Sequence, residues 1–391
     1  MPGPEVRGSV ELNVLHQTWK RRLIPMNVNR ILHVRDGNTV KTFQDFMMRW
    51  WEQVGLDAML APVEASDYAG VSAQVITQAA DLAHVNPFAP IMLNNTASLV
   101  QGFLEDHPHS HLAVIVRPCE LRAMVELRKR HRVRYQPVAA GDDRESLVVI
   151  SVDCAGTFPH AEYIQHVAGH QADAEMIHVD LSYGRQDSYI PYTVRETCQM
   201  CDSPSPLGAD IAVGTIGVEA QGEVLIIARS EDVDTTLCLE AVTNAMATEY
   251  QVFCREMMVG KLVDKRADKR ASLMKNQALQ MEEMTTALAL LARCTLCADC
   301  LDACPLYDGE LAGMLGAGDG RQSGHSLLAE LVRVSRWLAS CSGCGMCQQS
   351  CEHGVSLARA VTTLSHRIQS ELHYRPGDPS QRLPWMPQKV E

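Results

Sequence analysis

Apolar and polar positions along this chain follow two rhythms, and the change between them divides it. In the first part, short apolar runs of strand length alternate with helical stretches. Ile31-Leu32-His33-Val34 predicts a strand, and Thr42 to Val54 an amphipathic helix with Trp50 and Trp51 near its end. Helical spacing recurs over Ala73–Ala83 and Ala97–Glu105. His111 to Val116 and Ser146 to Val152 are continuous apolar runs, the pattern of strands buried on both faces. A helix is expected between them over Leu121–Arg132, its last turns carrying Arg128, Lys129, Arg130 and Arg132, charges that suit a helix C-terminus. Ala209–Gly217 and Glu223–Arg229 predict two more strands around a glycine-rich turn with Gly222. Strands alternating with helices predict an α/β (α+β) core over 31–260.

Past Lys261 the rhythm is helical throughout. Lys261–Lys275 is strongly charged (Lys265, Arg266, Lys269, Arg270) and is expected as a solvated helix or linker marking a domain boundary. Helices are predicted from Asn276 through Met281, Met284 and Leu288 to Leu291, over Ser326–Ala339, and over Ser356–Leu372, with a glycine-rich loop at Gly313–Gly324. An all-helical domain over 276–373 follows. Residues 1–30 show no period and are expected as an arm; 374–391, with four prolines and Trp385, as an extended tail that docks on something.

The helical part frames the chain's strongest chemical signal. Cys294, Cys297, Cys300 and Cys304-Pro305, then Cys341, Cys344, Cys347 and Cys351, both have the spacing C-x2-C-x2-C-x3-C. In ferredoxins with two 4Fe-4S clusters, three cysteines of such a run hold one cluster and the fourth reaches the other. Three thiolates on one turning loop can face three corners of a cube; the fourth corner needs a ligand from elsewhere. This assigns Cys294, Cys297, Cys300 and Cys351 to one cluster, and Cys341, Cys344, Cys347 and Cys304 to the other. Structural zinc is the plainer reading of C-x2-C pairs, but zinc takes two pairs per ion rather than two quartets with an x3 step. Glu352-His353 replaces proline after the second run, and its carboxylate should lower that cluster's potential slightly.

The α/β part holds a third set. Cys119 and Cys154 each fall just beyond the end of a predicted strand, where ligands gather in open α/β sheets. Cys198 and Cys201 form a C-x2-C step. The four are read as a third 4Fe-4S site; a zinc site with the same ligands, or a structural turn, is the alternative. Cys238 and Cys254 have no partner spacing and are expected in the core.

At 391 residues there is room for two or three domains, and 46% hydrophobic residues is ordinary for a packed globule. The formal net charge of −12 disfavours nucleic acid. Fourteen clustered cysteines point to metal ligands kept reduced, hence to the cytoplasm. No stretch has the eighteen or so apolar residues of a span. Arg21-Arg22 lacks the apolar stretch of an export signal behind it. Any membrane association would come through partners.

Arg117-Pro118-Cys119-Glu120-Leu121-Arg122, Asp153-Cys154-Ala155-Gly156, Cys198-x2-Cys201-Asp202 and Ala209-Asp210-Ile211-Ala212-Val213-Gly214 together resemble the beta subunits of coenzyme F420-reducing hydrogenases and related formate dehydrogenases, over roughly residues 80–255. Residues 276–372 resemble the helical dicluster modules of the C-type subunits of heterodisulfide reductases and of succinate dehydrogenase-type proteins. The first resemblance implies a flavoprotein-like core with FAD beside a 4Fe-4S cluster held by Cys119, Cys154, Cys198 and Cys201. In archaeal members ferredoxin cysteines precede that core, whereas here the dicluster module follows it. No G-x-G-x-x-G is present, so the FAD candidates are Asn94, Asn95 and Thr96, Arg117 and Arg122 for phosphate charge, and the turn from Gly214 to Gly217.

The function implied is an electron-transfer subunit of a formate dehydrogenase, hydrogenase or heterodisulfide reductase-type complex. A flavin would take or give an electron pair and iron–sulfur clusters would relay single electrons. The alternative is a flavin-free relay and scaffold, with catalysis in partner chains. A redox-sensing regulator fits poorly, because the chain is acidic and lacks a helix-turn-helix pattern.

Overall fold

The computed structural model describes residues 27–65, 70–108, 110–136, 138, 147–167, 194–219, 222–281, 293–307 and 324–386. Among these residues eight strands form one mixed sheet: β1 (Val28–His33), β2 (Ala58–Glu64), β3 (Val71–Ile76), β4 (Leu112–Val116), β5 (Leu147–Val152), β6 (Ile211–Gly214), β7 (Glu223–Ala228) and β8 (Ala245–Met246). Their order is β3-β2-β4-β5-β6-β7-β1-β8. The inner four, β2, β4, β5 and β6, are parallel, and the flanking pairings are antiparallel.

The continuous apolar runs of β4 and β5 are explained by two cores. Ala113, Ile115, Val148 and Ile150 face helix α1 (Thr39–Val54), whose Phe43, Phe46, Met47 and Trp50 are fully buried. Leu112, Val114, Val116, Leu147 and Val149 face helix α2 (Pro118–Lys129) through Leu121, Met124 and Val125. A strand covered on both faces needs an apolar residue at every position. Asn38 caps α1 by accepting from Lys41 N at 2.7 Å, which starts the helix three residues before the periodicity does.

Several expectations are corrected. Ala73–Ala83 is not a helix: Val71–Ile76 is an edge strand on β2, followed by a 3-10 turn at Ala79–His84. Pairing with a neighbouring strand outweighs the helix preference of its Ala and Gln. Val28–Arg30, assigned to the arm, belongs to β1, and Arg30 makes a buried two-pronged ion pair with Asp234, both bonds 2.6 Å. Residues 1–26 lie outside the described residues. Residues 261–275 are helical and largely solvated as expected, but they run on within one helix, α3 (Glu249–Met281), and Arg266 is only 4% exposed. Cys238 and Cys254 are half-buried rather than core.

In the helical part, α4 (Gly324–Ala339) and α5 (Leu357–Glu371) stand where the sequence puts them. The expected helix after Met281 and the Gly313–Gly324 loop fall outside the described residues, apart from Gly324 itself. This module is packed onto the α/β core by Arg122 in the first turns of α2 and by Arg130 and Arg132 just past its end. Arg130 Nη1 donates to Leu306 O at 3.1 Å, Arg132 Nη1 to Tyr307 O at 3.0 Å, and Arg122 Nη2 to Ser342 O at 2.8 Å. Charges that looked like dipole partners are also cross-braces. The tail docks on this same chain: the Tyr374 hydroxyl donates to buried Glu126, Gly377 N donates to Glu126 at 2.9 Å, and Trp385 lies under Arg130 and Arg336.

Candidate iron–sulfur sites

The parallel pair β4 and β5 ends at the same edge of the sheet, and this brings Cys119 and Cys154 together. Pro118 opens α2 and fixes its entry; Glu120 accepts from Arg117 N at 2.7 Å and closes the first turn. Cys119 thus sits on the first turn of a helix, beside Glu120. Cys154 is held by its N–H to Pro204 O at 2.8 Å. Beside it, Asp153 anchors the loop after β6: it accepts from Thr215 N and Ile216 N at 3.0 Å and pairs with Arg255 at 2.6 Å. A one-turn helix, Glu196–Gln199, presents Cys198 and Cys201, joined by Cys201 N to Cys198 O.

All four thiols line one cavity of about 370 Å³, open solvent included. Arginines surround it. Arg117 donates to Ala89 O at 2.7 Å, Arg266 to the carbonyls of Ala155 and Cys201, and Arg122 to Ser203 O, Ser342 O and the Cys201 sulfur at 3.8 Å. Arg195 donates to Thr157 Oγ1 at 2.8 Å. Among the described residues, none of these side chains has a carboxylate within ion-pair distance. Buried guanidinium groups with only neutral partners are costly unless an anion stands close. Four thiolates carrying an iron–sulfur cluster are such an anion, and the donor set fits one.

The thiols respond unequally. Burial and Glu120 push Cys119 well up, and burial raises Cys154. Burial also acts on Cys198, but Arg195, the Thr157 hydroxyl and Arg266 outweigh it and leave this thiol below its ordinary value. Of these three, Cys198 is the readiest to lose its proton to iron.

In the helical module the thiols act on one another across the two runs. Cys300 lies in the field of Cys297, Cys351 and Cys294, while Cys304 lies in that of Cys344 and Cys341. Cys347 faces Cys344, Cys341 and Cys304 before Cys300. Burial and these neighbours push Cys304 up to about 12 despite the indole N–H of Trp337 donating to its sulfur at 3.2 Å. Such an N–H would remain as a bond to a cluster thiolate and raise its potential. Among the described residues no three His, Cys, Asp or Glu side chains close on a single-ion point. A cubane spreads its thiolates more widely than a lone ion, so it does not require that closure.

The FAD candidates are scattered. Arg117 borders both the thiol cavity and an adjoining one of about 250 Å³ shared with Asp153 and Phe88. Arg122 is engaged with the helical module. Asn94 is exposed, Asn95 caps a 3-10 turn by accepting from Ala97 N, and Thr96 gives its N–H and hydroxyl to Glu120. The Gly214–Gly217 turn is covered by α3: a Cβ on Gly214 would meet Arg255, and one on Gly217 the backbone of Arg255. These glycines serve helix packing.

Sequence reading missed Arg195, Arg255 and Arg266. Arg195 was open to notice, being three residues before Cys198; Arg266 was hidden in a segment that looked merely solvated.

Residues 109–252 match the family described as coenzyme F420 hydrogenase/dehydrogenase, C terminus of the beta subunit. Residues 290–355 match the 4Fe-4S dicluster domain. The chain is 23% identical over 308 residues to F420-dependent formate dehydrogenase subunit beta of Methanocaldococcus jannaschii, covering 72% of this chain and 77% of that protein. It is 23% identical over 306 residues to F420-dependent formate dehydrogenase 1 subunit beta of Methanococcus maripaludis, covering 71% and 75%. A chain of the F420-reducing NiFe hydrogenase complex from Methanosarcina barkeri superposes with a TM-score of 0.46 at 13% identity, covering 64% of this chain and 91% of that one. The chain thus carries, within its α/β core, a match to the C-terminal family of coenzyme F420 hydrogenase/dehydrogenase beta subunits, followed by a match to the 4Fe-4S dicluster domain.

Proposed function

We propose that this chain is an iron–sulfur electron-transfer subunit of a multi-subunit oxidoreductase of the formate dehydrogenase or hydrogenase type. The observation that carries the reading is that Cys119, Cys154, Cys198 and Cys201 line one cavity among arginines with no carboxylate at ion-pair distance, and it is supported by the match of both cysteine runs to the dicluster domain. Cys119, Cys154, Cys198 and Cys201 would hold one cluster; Cys304, Cys341, Cys344 and Cys347 a second; Cys294, Cys297, Cys300 and Cys351 a third. Each cluster when bound supplies a one-electron station. The protein would hold the thiols at fixed spacing and tune them through Trp337 and the arginines.

FAD belongs to the same proposal, with Arg117 as the candidate best supported, because it stands between the thiol cavity and the adjoining one. The flavin-free relay is the second reading, favoured by the Gly214–Gly217 turn being filled by α3. The setting proposed is cytoplasmic; among the described residues no helix is long and apolar enough to cross a membrane. Iron and flavin counted on anaerobically prepared protein test all of this. About twelve irons per chain are expected from three 4Fe-4S clusters. Zinc in place of iron would end the electron-transfer reading, and acid release of no FAD would select the flavin-free one.

A further inference from the structure

The second cysteine run is pressed against the α/β site. Gly343 and Cys344 form part of the wall of the cavity lined by Cys119, Cys154, Cys198 and Cys201. Gly345 meets Thr197, one residue before Cys198, so closely that a Cβ there would collide with the hydroxyl. Arg195 stands at this junction. Its Nε donates to Thr157, its Nη1 lies 3.9 Å from the sulfur of Met346 in the helical module, and its Nη2 lies 3.6 Å from that of Met92. It is 8% exposed, and its charge faces Cys198, Cys119, Cys344 and Cys154, thiols of both groups.

A buried guanidinium answered by one hydroxyl and two thioethers needs a counter-charge. The anions the fold offers it are the thiolates on its two sides. A fixed positive charge between two iron–sulfur groups stabilises an added electron on either one. It therefore raises both potentials together. Cys294 and Cys297, by contrast, are exposed, and both act on Cys300 in their own run.

We propose that Arg195 is a positioning residue shared by two adjacent stations of the relay, the Cys119/Cys154/Cys198/Cys201 and Cys304/Cys341/Cys344/Cys347 groups, and that Cys294/Cys297/Cys300/Cys351 is the outer station. The inference rests on the proposal that all three groups hold 4Fe-4S clusters. An electron passing between stations leaves one cluster oxidised by one unit and the next reduced by one, with no bond made or broken.

The test is a dithionite titration of the full chain followed by electron paramagnetic resonance, with iron counted in each sample. In Arg195→Gln two midpoint potentials should fall together, each by at least about tenfold in the reduction equilibrium, or ~59 mV for one electron. The third should hold, iron content should be unchanged, and Arg195→Lys should reverse most of the shift. Cys297→Ser, at an exposed position, supplies a measurement independent of Arg195. It should remove the outer cluster and keep the magnetic coupling between the remaining two. A shift confined to one cluster, an equal shift in all three, or coupling lost in Cys297→Ser would overturn the proposed order. Wild-type protein with about eight irons would instead remove the third cluster from the functional reading, and the inference would go with it.

Discussion

The two cysteine runs share a backbone and differ in what surrounds it. In the first, Leu296 and Ala298 have left-handed φ of 59° and 70°; in the second, Gly343 and Gly345 occupy the same places at 68° and 73°. Each run then enters a one-turn helix, Asp299–Asp302 or Met346–Gln349. The loop geometry is thus a requirement of presenting three thiols, and it recurs with or without glycine. Leu296 is 82% exposed, so the first run can carry a large side chain at this strained position. In the second, Gly345 lies against Thr197, and here a side chain has no room. The pair separates the chemistry of a cluster loop from its docking: the first needs only the turn, the second needs the turn and a bare backbone.

Removing thiols gives the largest test of that contrast. Cys297→Ser and Cys344→Ser should each cost about four of about twelve irons. Only Cys344→Ser should also destabilise the contact with the α/β core, seen as a lower midpoint of thermal unfolding and faster proteolysis between the modules. Flavin content, if present, should survive both. Equal loss of thermal stability in the two variants would erase the distinction between exposed and docked runs.

Smaller changes sharpen it. Gly345→Ala adds a left-handed penalty to a steric clash and should destabilise by about 2–4 kcal/mol. Gly343→Ala, whose Cβ would meet open space, should cost about 1 kcal/mol. Denaturant unfolding of the two variants measures the gap. Leu296→Gly should go the other way, stabilising by about 0.5–1 kcal/mol once the greater freedom of glycine in the unfolded chain is set against the relieved strain.

The smallest effect is in pH. Burial, then the nearby Arg270 charge, hold the His366 imidazole below its ordinary value against the pull of Asp202. A histidine with a depressed folded value is stabilised by folding in its neutral form. Its contribution is therefore present above its unfolded value, about 6.5, and is lost as pH falls below it. Relative to His366→Gln, the wild-type thermal midpoint should lose more as pH is lowered from 7 to 5.5, whatever the buried Asp210, raised to about 6, adds in both proteins. A wild-type slope unchanged in the variant would place the acid sensitivity elsewhere.

Both cysteine quartets, the apolar runs of β4 and β5, and the helices α4 and α5 could be read directly. Each depends on local spacing: two-residue steps between thiols, unbroken apolarity in a strand covered twice, a 3.6 period on a packed helix. The same rules misread Val71–Ile76, whose fate depends on β2 beside it, and in the solvated helix over Lys261–Lys275 they missed two docked arginines. Arg266 and Arg270 are surface-like by composition, yet one donates to Ala155 and Cys201 carbonyls and the other pairs with Asp202 at 2.7 Å.

The order of residues alone determined which thiols belong to which run and that an α/β unit precedes a helical one, because ligand spacing and hydrophobic period are properties of neighbours in sequence. Only the folded chain decided that Cys344 borders the cavity of Cys119, Cys154, Cys198 and Cys201, that Arg195 lies between the two groups, and that the proline-rich tail closes over Glu126. Those contacts join residues more than a hundred positions apart. Their energies come from burying charge beside charge and backbone against backbone, which no local pattern records.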